Sequence, residues 1–151
     1  MKEIVSNKGL KTNYDILEKF TAGIVLSGPE VKSIKAGQIN LKGSYISVNP
    51  GGEVWLVGAH IASYKPAASV QKDYQPNRAR KLLLKKEEID YLKGKLNQKG
   101  LTILPISVYT KGSLIKIELA LVKGKKKHDK REALKKREIE REIRRKMRRK
   151  S

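Results

Sequence analysis

Charge is distributed very unevenly along this chain, and this limits what each part can fold into. The 151 residues carry 35 Lys and Arg against 15 Asp and Glu, a net charge of +20. More than half of that charge lies in residues 123–151. The apolar side chains of this segment are Ala133, Leu134, Ile139, Ile143 and Met147. Because so few apolar groups cannot offset the entropy of ordering the segment, we expect a folded body, 1–122, and a basic tail, 123–151, that is mobile when alone.

Alternating patterns and turn residues predict a mainly β body. Residues 39–62 predict a hairpin around the turn signal at 49–52, Asn-Pro-Gly-Gly. Residues 101–122 predict a second hairpin, with Pro105 at an edge or a bulge because proline cannot donate to the ladder. About six strands favour a small β-barrel, since closure would remove unpaired sheet edges.

Two short helices are predicted to flank these strands. The first begins at Pro29 and ends before Gly37. Its expected inward-facing side chains are Val31, Ile34 and Ala36. The second spans 85–98, with apolar residues at helical spacing and Gly100 as its stop.

No constellation of residues points to catalysis. Cys is absent, and the two histidines, His60 and His128, do not have metal-ligand spacing. No Gly-rich phosphate-loop motif is present. The acidic cluster at 87–90 falls in the first turn of a helix, where carboxylates favour the helix dipole. No apolar run approaches the roughly 18 residues of a membrane span. We therefore expect no enzyme, no cofactor, no metal and no membrane contact, in a cytoplasmic monomer.

The charge favours binding to nucleic acid, because neutralising phosphates releases counterions. Residues 65–80 lack periodicity and predict a long loop. Arg78, Arg80 and Lys81 then precede three leucines, which suits a phosphate-binding rim, although a solvated loop explains them too. Trp55 is expected in the core. The tyrosines available for stacking on bases, each of which also fits a half-buried barrel position, are Tyr14, Tyr45, Tyr64, Tyr74 and Tyr109.

The tail has the composition of a helix that needs a partner. From Asp129 to Lys150 it contains no Pro or Gly. Two Glu-first pairs at i, i+4 spacing support a helix: Glu140 with Arg144, and Glu142 with Lys146. One narrow apolar stripe contains Ile139, Ile143 and Met147. The partner is RNA backbone or a neighbouring protein; a solvated charge run is an alternative, and a membrane-surface helix is disfavoured because the stripe lacks Trp and Phe.

Five stretches of the sequence together resemble the SmpB (SsrA-binding protein) family. They are, in chain order, GPEVKS (28–33), NLKGSY (40–45), HI (60–61), PNRARKLLL (76–84) and GKKKHDKRE (124–132). Any one of them is weak evidence, but their order and spacing match the family over nearly the whole chain.

The resemblance implies a fold and a function. The fold is an OB-like small β-barrel with flanking short helices, and a tail that is disordered when free and helical on the ribosome. The function is that of a trans-translation adaptor. The body binds the tRNA-like domain of tmRNA, and the tail enters the small-subunit decoding centre and mRNA channel of a stalled ribosome, against rRNA.

The resemblance also implies residue roles. The expected tmRNA contacts are Asn7, Tyr14, Glu30, Lys32, Arg78, Arg80, Lys81 and Leu83. The expected hinge and phosphate contacts of the tail are Gly124, Lys125 and Lys126. The expected decoding-centre segment contains His128, Asp129, Lys130 and Arg131.

Four departures from the family pattern weaken particular contacts. Thr21 stands where the family usually has a Glu associated with tmRNA binding. Pro29 replaces a common Thr and is expected to remove a side-chain cap. Gly43 replaces a frequent Asp, and residues 7–13 match only loosely. Two other functions fit the residues themselves: a structural ribosomal protein, or an enzyme acting on RNA.

Overall fold

The structure, a computed structural model, describes residues 2–66, 73–125 and 127–150, with side chains in the last range described at 134–147. Its elements, in chain order, are β1 (Lys2–Ser6), α1 (Leu10–Asn13), β2 (Tyr14–Ile24), α2 (Gly28–Lys35), β3 (Ile39–Asn40), β4 (Tyr45–Val48), β5 (Val54–Val57), β6 (His60–Ile61), β7 (Arg80–Leu83), α3 (Lys86–Leu96), β8 (Leu101–Lys111), β9 (Leu114–Gly124) and α4 (Lys127–Lys150).

The body is built on one antiparallel sheet, so the mainly β prediction is confirmed. Seven strands follow the order β1-β8-β9-β2-β7-β5-β4, and the two-residue strands β3 and β6 pair separately. The three longest strands, β2, β8 and β9, are neighbours, with β9 paired to both of the others. The described residues form nine strands, against about six expected from the sequence, and two of them, β3 and β6, have only two residues each, too few to show a period.

The sheet does not close into the barrel that the sequence predicted. The sheet curls until β4 lies against β8. Among the described strands, β1 and β4 are the two edge strands, and they do not pair with each other. Strand β1 already occupies the edge of β8 at 107–110. Asn7 extends this cover, since its backbone N–H donates to Ile106 O at 2.7 Å and its side chain to Pro105 O at 2.9 Å. Strand β4 therefore meets β8 across a seam.

Both predicted hairpins are present. Strands β4 and β5 pair around the turn at 49–52, which Asn49 closes by accepting a hydrogen bond from the Glu53 backbone N–H at 2.8 Å. Strands β8 and β9 pair along their whole length. Their register shifts between Pro105 and Ser107, which confirms the predicted bulge.

The core lies where the curled sheet meets the two helices. Ile34 of α2 and Leu92 of α3 are both fully buried against apolar residues of β5, β8 and β9. Val31 is half-buried, but the prediction that Ala36 faces inward is wrong. Ala36 is the C-cap of α2, and two residues beyond Ile34 correspond to about 200° of helix rotation.

Candidate nucleic-acid interface

One buried carboxylate joins three segments of the body. Glu30 lies in the first turn of α2, and its side chain is completely shielded from solvent. Its Oε1 accepts hydrogen bonds from the Ser27 backbone N–H, at 3.0 Å, and from the Arg78 guanidinium. Its Oε2 accepts from Arg80 Nε at 3.0 Å and lies 3.2 Å from the Tyr74 hydroxyl. Glu30 therefore connects α2 to the 73–79 segment and to β7.

The start of α2 is a capping box. Ser27 Oγ accepts a hydrogen bond from the Glu30 backbone N–H, while the Glu30 side chain accepts from the Ser27 backbone. The expectation that Pro29 removes a side-chain cap is wrong, because Ser27 supplies one. The Ser-x-x-Glu pattern at 27–30 is the sequence signature of this motif, and it is the signal that would have predicted the cap.

Arg80 is an internal residue rather than part of a basic loop. It begins β7, where alternate side chains face the core, and it is completely buried. Besides Glu30, it donates through Nη1 to Ala59 O and through Nη2 to the Tyr74 hydroxyl, each at 2.9 Å. The prediction that Arg80 and Lys81 lie on a loop is wrong, since both belong to a central strand.

The electrostatics of this cluster keep Glu30 ionised. Burial opposes its charge, but hydrogen bonds from the Ser27 backbone, Arg80 and Arg78 outweigh burial and lower the pKa of Glu30 below its ordinary value of 4.5. Burial, and then the charge of Glu30, raise the pKa of Tyr74 above its ordinary value of 10.0. Tyr74 therefore stays a neutral hydroxyl, which lies 2.8 Å from the Ile61 carbonyl oxygen.

Cationic and polar groups reach the surface above this cluster. Arg78 forms an ion pair with Glu30, but its side chain is 39% exposed, so part of its guanidinium faces solvent. Lys32, exposed on α2, lies over the Tyr64 ring at 5.7 Å. His60 Nδ1 and Asn77 Oδ1 lie 2.8 Å apart, both on exposed residues. We call Lys32, His60, Asn77 and Arg78 the Glu30 surface.

Two other expected contact residues, Lys81 and Leu83, lie on the face of β7 opposite to the buried side chain of Arg80. Lys81 is 46% exposed and lies 3.9 Å from Glu53, and Leu83 is 55% exposed. The Cβ of Leu83 is 3.5 Å from where a side chain at Gly23 would begin. Leu83 therefore packs over Gly23 on the outer face of the sheet. Trp55, opposite Lys81, is half-buried rather than fully in the core.

Asn7 and Tyr14 lie beside the place where the tail leaves the body. Asn7 uses its side-chain N–H to hold Pro105, and Tyr14 pairs with Gly124 at the end of β9. Lys125 then donates from its backbone N–H to Asn13 O at 3.0 Å and from Nζ to Lys11 O at 2.8 Å. No local pattern in the sequence indicates this junction, because Lys125 contacts residues more than one hundred positions away.

The tail forms a helix that lies against α1 of the body. Helix α4 spans Lys127–Lys150, and Arg137 Nη1 donates to Thr12 Oγ1 at 2.6 Å. The apolar side chains Leu134, Ile139, Ile143 and Met147 are exposed. Lys126 and the side chains of His128, Asp129, Lys130 and Arg131 lie outside the described residues.

Within the described ranges, no three His, Asp or Glu side chains are grouped so that they could hold a metal ion. Each helix there is too short or too polar to cross a membrane.

Comparison with known proteins decides the family. The family model described as SmpB protein matches residues 4–149. The chain belongs to the SmpB family. The SsrA-binding protein of Persephonella marina is 50% identical over 139 residues, covering 92% of this chain and 90% of that protein. The SsrA-binding protein of a Sulfurihydrogenibium species is 52% identical over 143 residues, covering 92% of each.

A solved structure shares the fold as well as the sequence. It is described as "tmRNA-SmpB: a journey to the center of the bacterial ribosome". Its matching chain superposes with a TM-score of 0.67 at 38% identity, covering 86% of this chain and 93% of that one.

The structure gives a physical context for one departure from the SmpB pattern. Thr21 is exposed on β2 and lies directly opposite Glu118 of β9. Glu118 is 3.8 Å from the Lys19 ammonium group. A carboxylate therefore lies across the strand from Thr21, although position 21 has none.

Proposed function

We propose that this chain is an RNA-binding adaptor of trans-translation. Its body binds the tRNA-like domain of tmRNA. Its tail enters the decoding centre and mRNA channel of a stalled ribosome and takes the place of codon–anticodon pairing there. The ribosome then resumes on the reading frame of tmRNA, tags the nascent peptide and is released. The chain performs no reaction itself and bridges two RNAs in the cytoplasm.

One observation carries this proposal: the likeness runs along nearly the whole chain. Relatives named SsrA-binding protein match 92% of it, and the solved chain of similar fold is described as part of tmRNA–SmpB. The net charge of +20 adds a physical reason, because a polyanion is the natural partner of such a chain.

The body residues divide into those that touch RNA and those that position them. We assign phosphate contacts to Lys32, Arg78 and Lys81, whose charged groups reach solvent. Glu30 and Arg80 are buried, so their role in RNA binding is to position Arg78 and its loop. Leu83, Asn7 and Tyr14 complete the proposed tmRNA contacts, with Leu83 offering an apolar surface and Asn7 holding β8.

The tail residues are assigned by family membership. Gly124 ends β9 and acts as the hinge, and Lys125 and Lys126 contact phosphates beyond it. The decoding-centre segment is formed by His128, Asp129, Lys130 and Arg131. An imidazole can both stack on a base and donate a hydrogen bond, which suits His128 to a site that lacks a codon.

We further propose that the tail is disordered in the free protein and becomes a stable helix on the ribosome. The side chains of Ile139, Ile143 and Met147 are 57%, 49% and 68% exposed, so little apolar burial stabilises α4. Helices that lack such burial are marginal in water. The OB-like body, 1–122, is the unit that stays folded, and the seam between β4 and β8 is where its barrel remains open.

The test separates the two parts of the protein. A chain that stops after Lys125 keeps the pairing of β9 with β2 and the Lys125 bond to Asn13. We expect it to bind the isolated tRNA-like domain with an affinity within about threefold of the full chain, because few body contacts are lost. A tenfold loss of affinity would require about 1.4 kcal/mol of lost binding free energy. Peptide tagging on stalled ribosomes is expected to disappear.

The full-length chain is the control, and His128→Ala within it, which keeps the length of the tail and its Lys and Arg residues, is expected to reduce tagging without changing affinity for the tRNA-like domain. Loss of binding to the tRNA-like domain on truncation would mean that the body and tail do not divide the work as proposed. Normal tagging by the truncated chain would remove the proposed role of the tail.

A further inference from the structure

The tail is bonded to the single-turn helix α1 at two separate places. At the first, Lys125 donates from its backbone N–H to Asn13 O at 3.0 Å and from Nζ to Lys11 O at 2.8 Å. At the second, Arg137 Nη1 donates to Thr12 Oγ1 at 2.6 Å. We call residues 11–13 the tail-contact turn. The Lys125 ammonium has three donors, so its bond to this turn leaves it able to contact a phosphate as well.

Helix α1 is held firmly on the body, although it is only one turn long. Gly9 precedes it with φ 84°, and Gly9 O accepts from the backbone N–H groups of Thr12 and Asn13, each at 3.2 Å. Asn13 Nδ2 donates to the same oxygen at 3.1 Å. Leu10 is buried in a small apolar cluster with side chains of β8 and β9. The tail-contact turn therefore offers the tail a fixed position on the body.

Two attachment points fix the direction of a helix better than one. At about 1.5 Å per residue, the helix is about 15 Å long from Lys127 to Arg137 and about 35 Å long from Lys127 to Lys150. Gly124, the proposed hinge, has no atom within 4 Å of where its side chain would begin, so nothing there opposes a turn of the chain. A swing of about 20° at the hinge would move the far end of α4 by about 12 Å. The contact at Arg137 opposes that swing.

The same contact sets which face of α4 points away from the body. Successive residues lie about 100° apart around a helix, which places Ile143 about 120° from Arg137. Ile139 and Met147 lie on either side of Ile143, and all three side chains are exposed. With Arg137 turned towards α1, the apolar stripe of the tail faces outward and is available to a partner.

The contact orients α4 without adding much to its stability. A hollow of about 450 Å³ lies beside it, lined by Leu10, Ile16 and Ile106, with Arg137 at its rim. None of the described apolar side chains of α4 lines this hollow, so the helix buries little apolar surface on the body. One hydrogen bond to a neutral hydroxyl can form when the tail becomes helical and break when it unfolds.

We propose that the tail-contact turn directs the tail helix into the decoding centre, with Thr12 as the residue that positions Arg137. This inference rests on the proposed function and deepens it, because the tail can enter an empty mRNA channel only if it leaves the body in the right direction. The contact acts once the tail is helical, which the proposed function places on the ribosome. The opposite role, in which α1 holds the tail in an inactive position, is an outcome of the test.

The first test replaces Thr12 in the full chain. Thr12→Val removes the acceptor and nearly keeps the shape, so tagging on stalled ribosomes is expected to fall about fivefold or more. Affinity for the isolated tRNA-like domain is expected to stay within about twofold. Thr12→Ser keeps the hydroxyl and should tag nearly as wild type does. Thr110→Val is the matched control, because Thr110 is also half-buried but lies 3.5 Å from Lys2 O, on the side of β8 that faces β1.

A double-mutant comparison separates positioning from a merely structural role of Thr12. In the Arg137→Ala chain, Thr12→Val should lower tagging no further, because both changes remove the same contact. Additive losses would mean that the two residues act independently and would overturn the inference. Unchanged tagging by Thr12→Val would overturn it too, as would a loss of affinity for the tRNA-like domain, which would assign α1 to RNA binding.

A crosslink tests the direction of the tail even if Thr12→Val fails to fold. The chain contains no Cys, and Cα atoms of α1 and α4 approach within 8 Å, so Thr12→Cys with Arg137→Cys suits a short bis-maleimide crosslinker. We expect the crosslinked chain to tag faster than the same double variant before crosslinking. A crosslinked chain that tags no faster, or not at all, would overturn the inference and leave the proposed function in place. If the wild-type chain itself failed to bind the domain or to support tagging, the proposed function would fall first.

Discussion

Removing Arg80 is expected to destabilise the body strongly, although arginine is usually a surface residue. Arg80→Ala would remove the Arg80 donors from the buried Glu30 carboxylate, the Ala59 carbonyl and the half-buried Tyr74 hydroxyl, although Glu30 would keep the donors from Ser27 and Arg78. Breaking a buried ion pair by deleting one partner costs about 3–5 kcal/mol. With a urea m value of about 1–3 kcal/mol/M, the midpoint of unfolding should fall by at least about 1 M.

The assay is urea unfolding followed by the fluorescence of Trp55, the one tryptophan of the chain. Trp55 pairs with Lys81 of β7, the residue after Arg80, so its signal reports on this part of the sheet. Arg78→Ala is the matched control. It removes another guanidinium from Glu30, but one that is 39% exposed, so the loss is expected to be about 1 kcal/mol or less.

A third variant separates charge from volume. Glu30→Met with Arg80→Met removes both charges and keeps apolar volume, so it should be more stable than Arg80→Ala. The reasoning is refuted if Arg80→Ala costs no more than Arg78→Ala, because the buried pair would then contribute nothing beyond a surface contact.

Three other predictions concern the same cluster and the tail. Ser27→Ala should cost about 1 kcal/mol in the same urea assay by removing the cap of α2, whereas Ser27→Asp should restore most of it. Because the pKa of Glu30 is lower in the folded than in the unfolded chain, its stabilisation is present above pH 4.5 and is lost as pH falls through the folded pKa. Glu30→Gln should therefore flatten the fall in stability below pH 4.5, and an unchanged acid slope would contradict this. His128→Ala with Lys130→Ala should leave affinity for the tRNA-like domain unchanged and reduce tagging, and unchanged tagging would rule out their decoding-centre role.

Short-range patterns predicted much of the fold. The turn at 49–52 and the bulge at Pro105 are local features, because they follow from what Pro and Gly permit in the backbone. The course of α2 followed from Pro29 and Gly37 in the same way, although the expected loss of a side-chain cap and the inward direction of Ala36 were both wrong.

The features that could not be predicted from the sequence depend on contacts between residues far apart along the chain. A buried arginine needs a partner, and the partner of Arg80 is Glu30, 50 positions away. Because no local pattern links the two residues, Arg80 was predicted to lie on a loop. The alternation of Arg80, Lys81, Leu82 and Leu83 fits a strand, but the preceding prolines and basic residues favoured a loop. The open seam has a similar cause, since Asn7 reaches Pro105 across 98 positions.

The candidate contact residues were found by resemblance, and the structure divides them by burial. Lys32, Arg78 and Lys81 have solvent-facing charges, whereas Glu30 and Arg80 are buried. Burial is a property of the packed fold, so the two motifs that contain these five residues, 28–33 and 76–84, cannot separate the two groups.

The most direct test of the central claim is a competition binding measurement. Labelled tRNA-like domain of tmRNA is bound to the full chain at about 150 mM salt, where nonspecific phosphate contacts are weakened. Unlabelled domain and ordinary tRNA are then added separately as competitors. The adaptor function predicts that the unlabelled domain displaces the label at a concentration at least about tenfold below that of tRNA, a difference of about 1.4 kcal/mol. Equal displacement by the two RNAs would mean that the basic body binds RNA without selecting tmRNA, and would contradict the account.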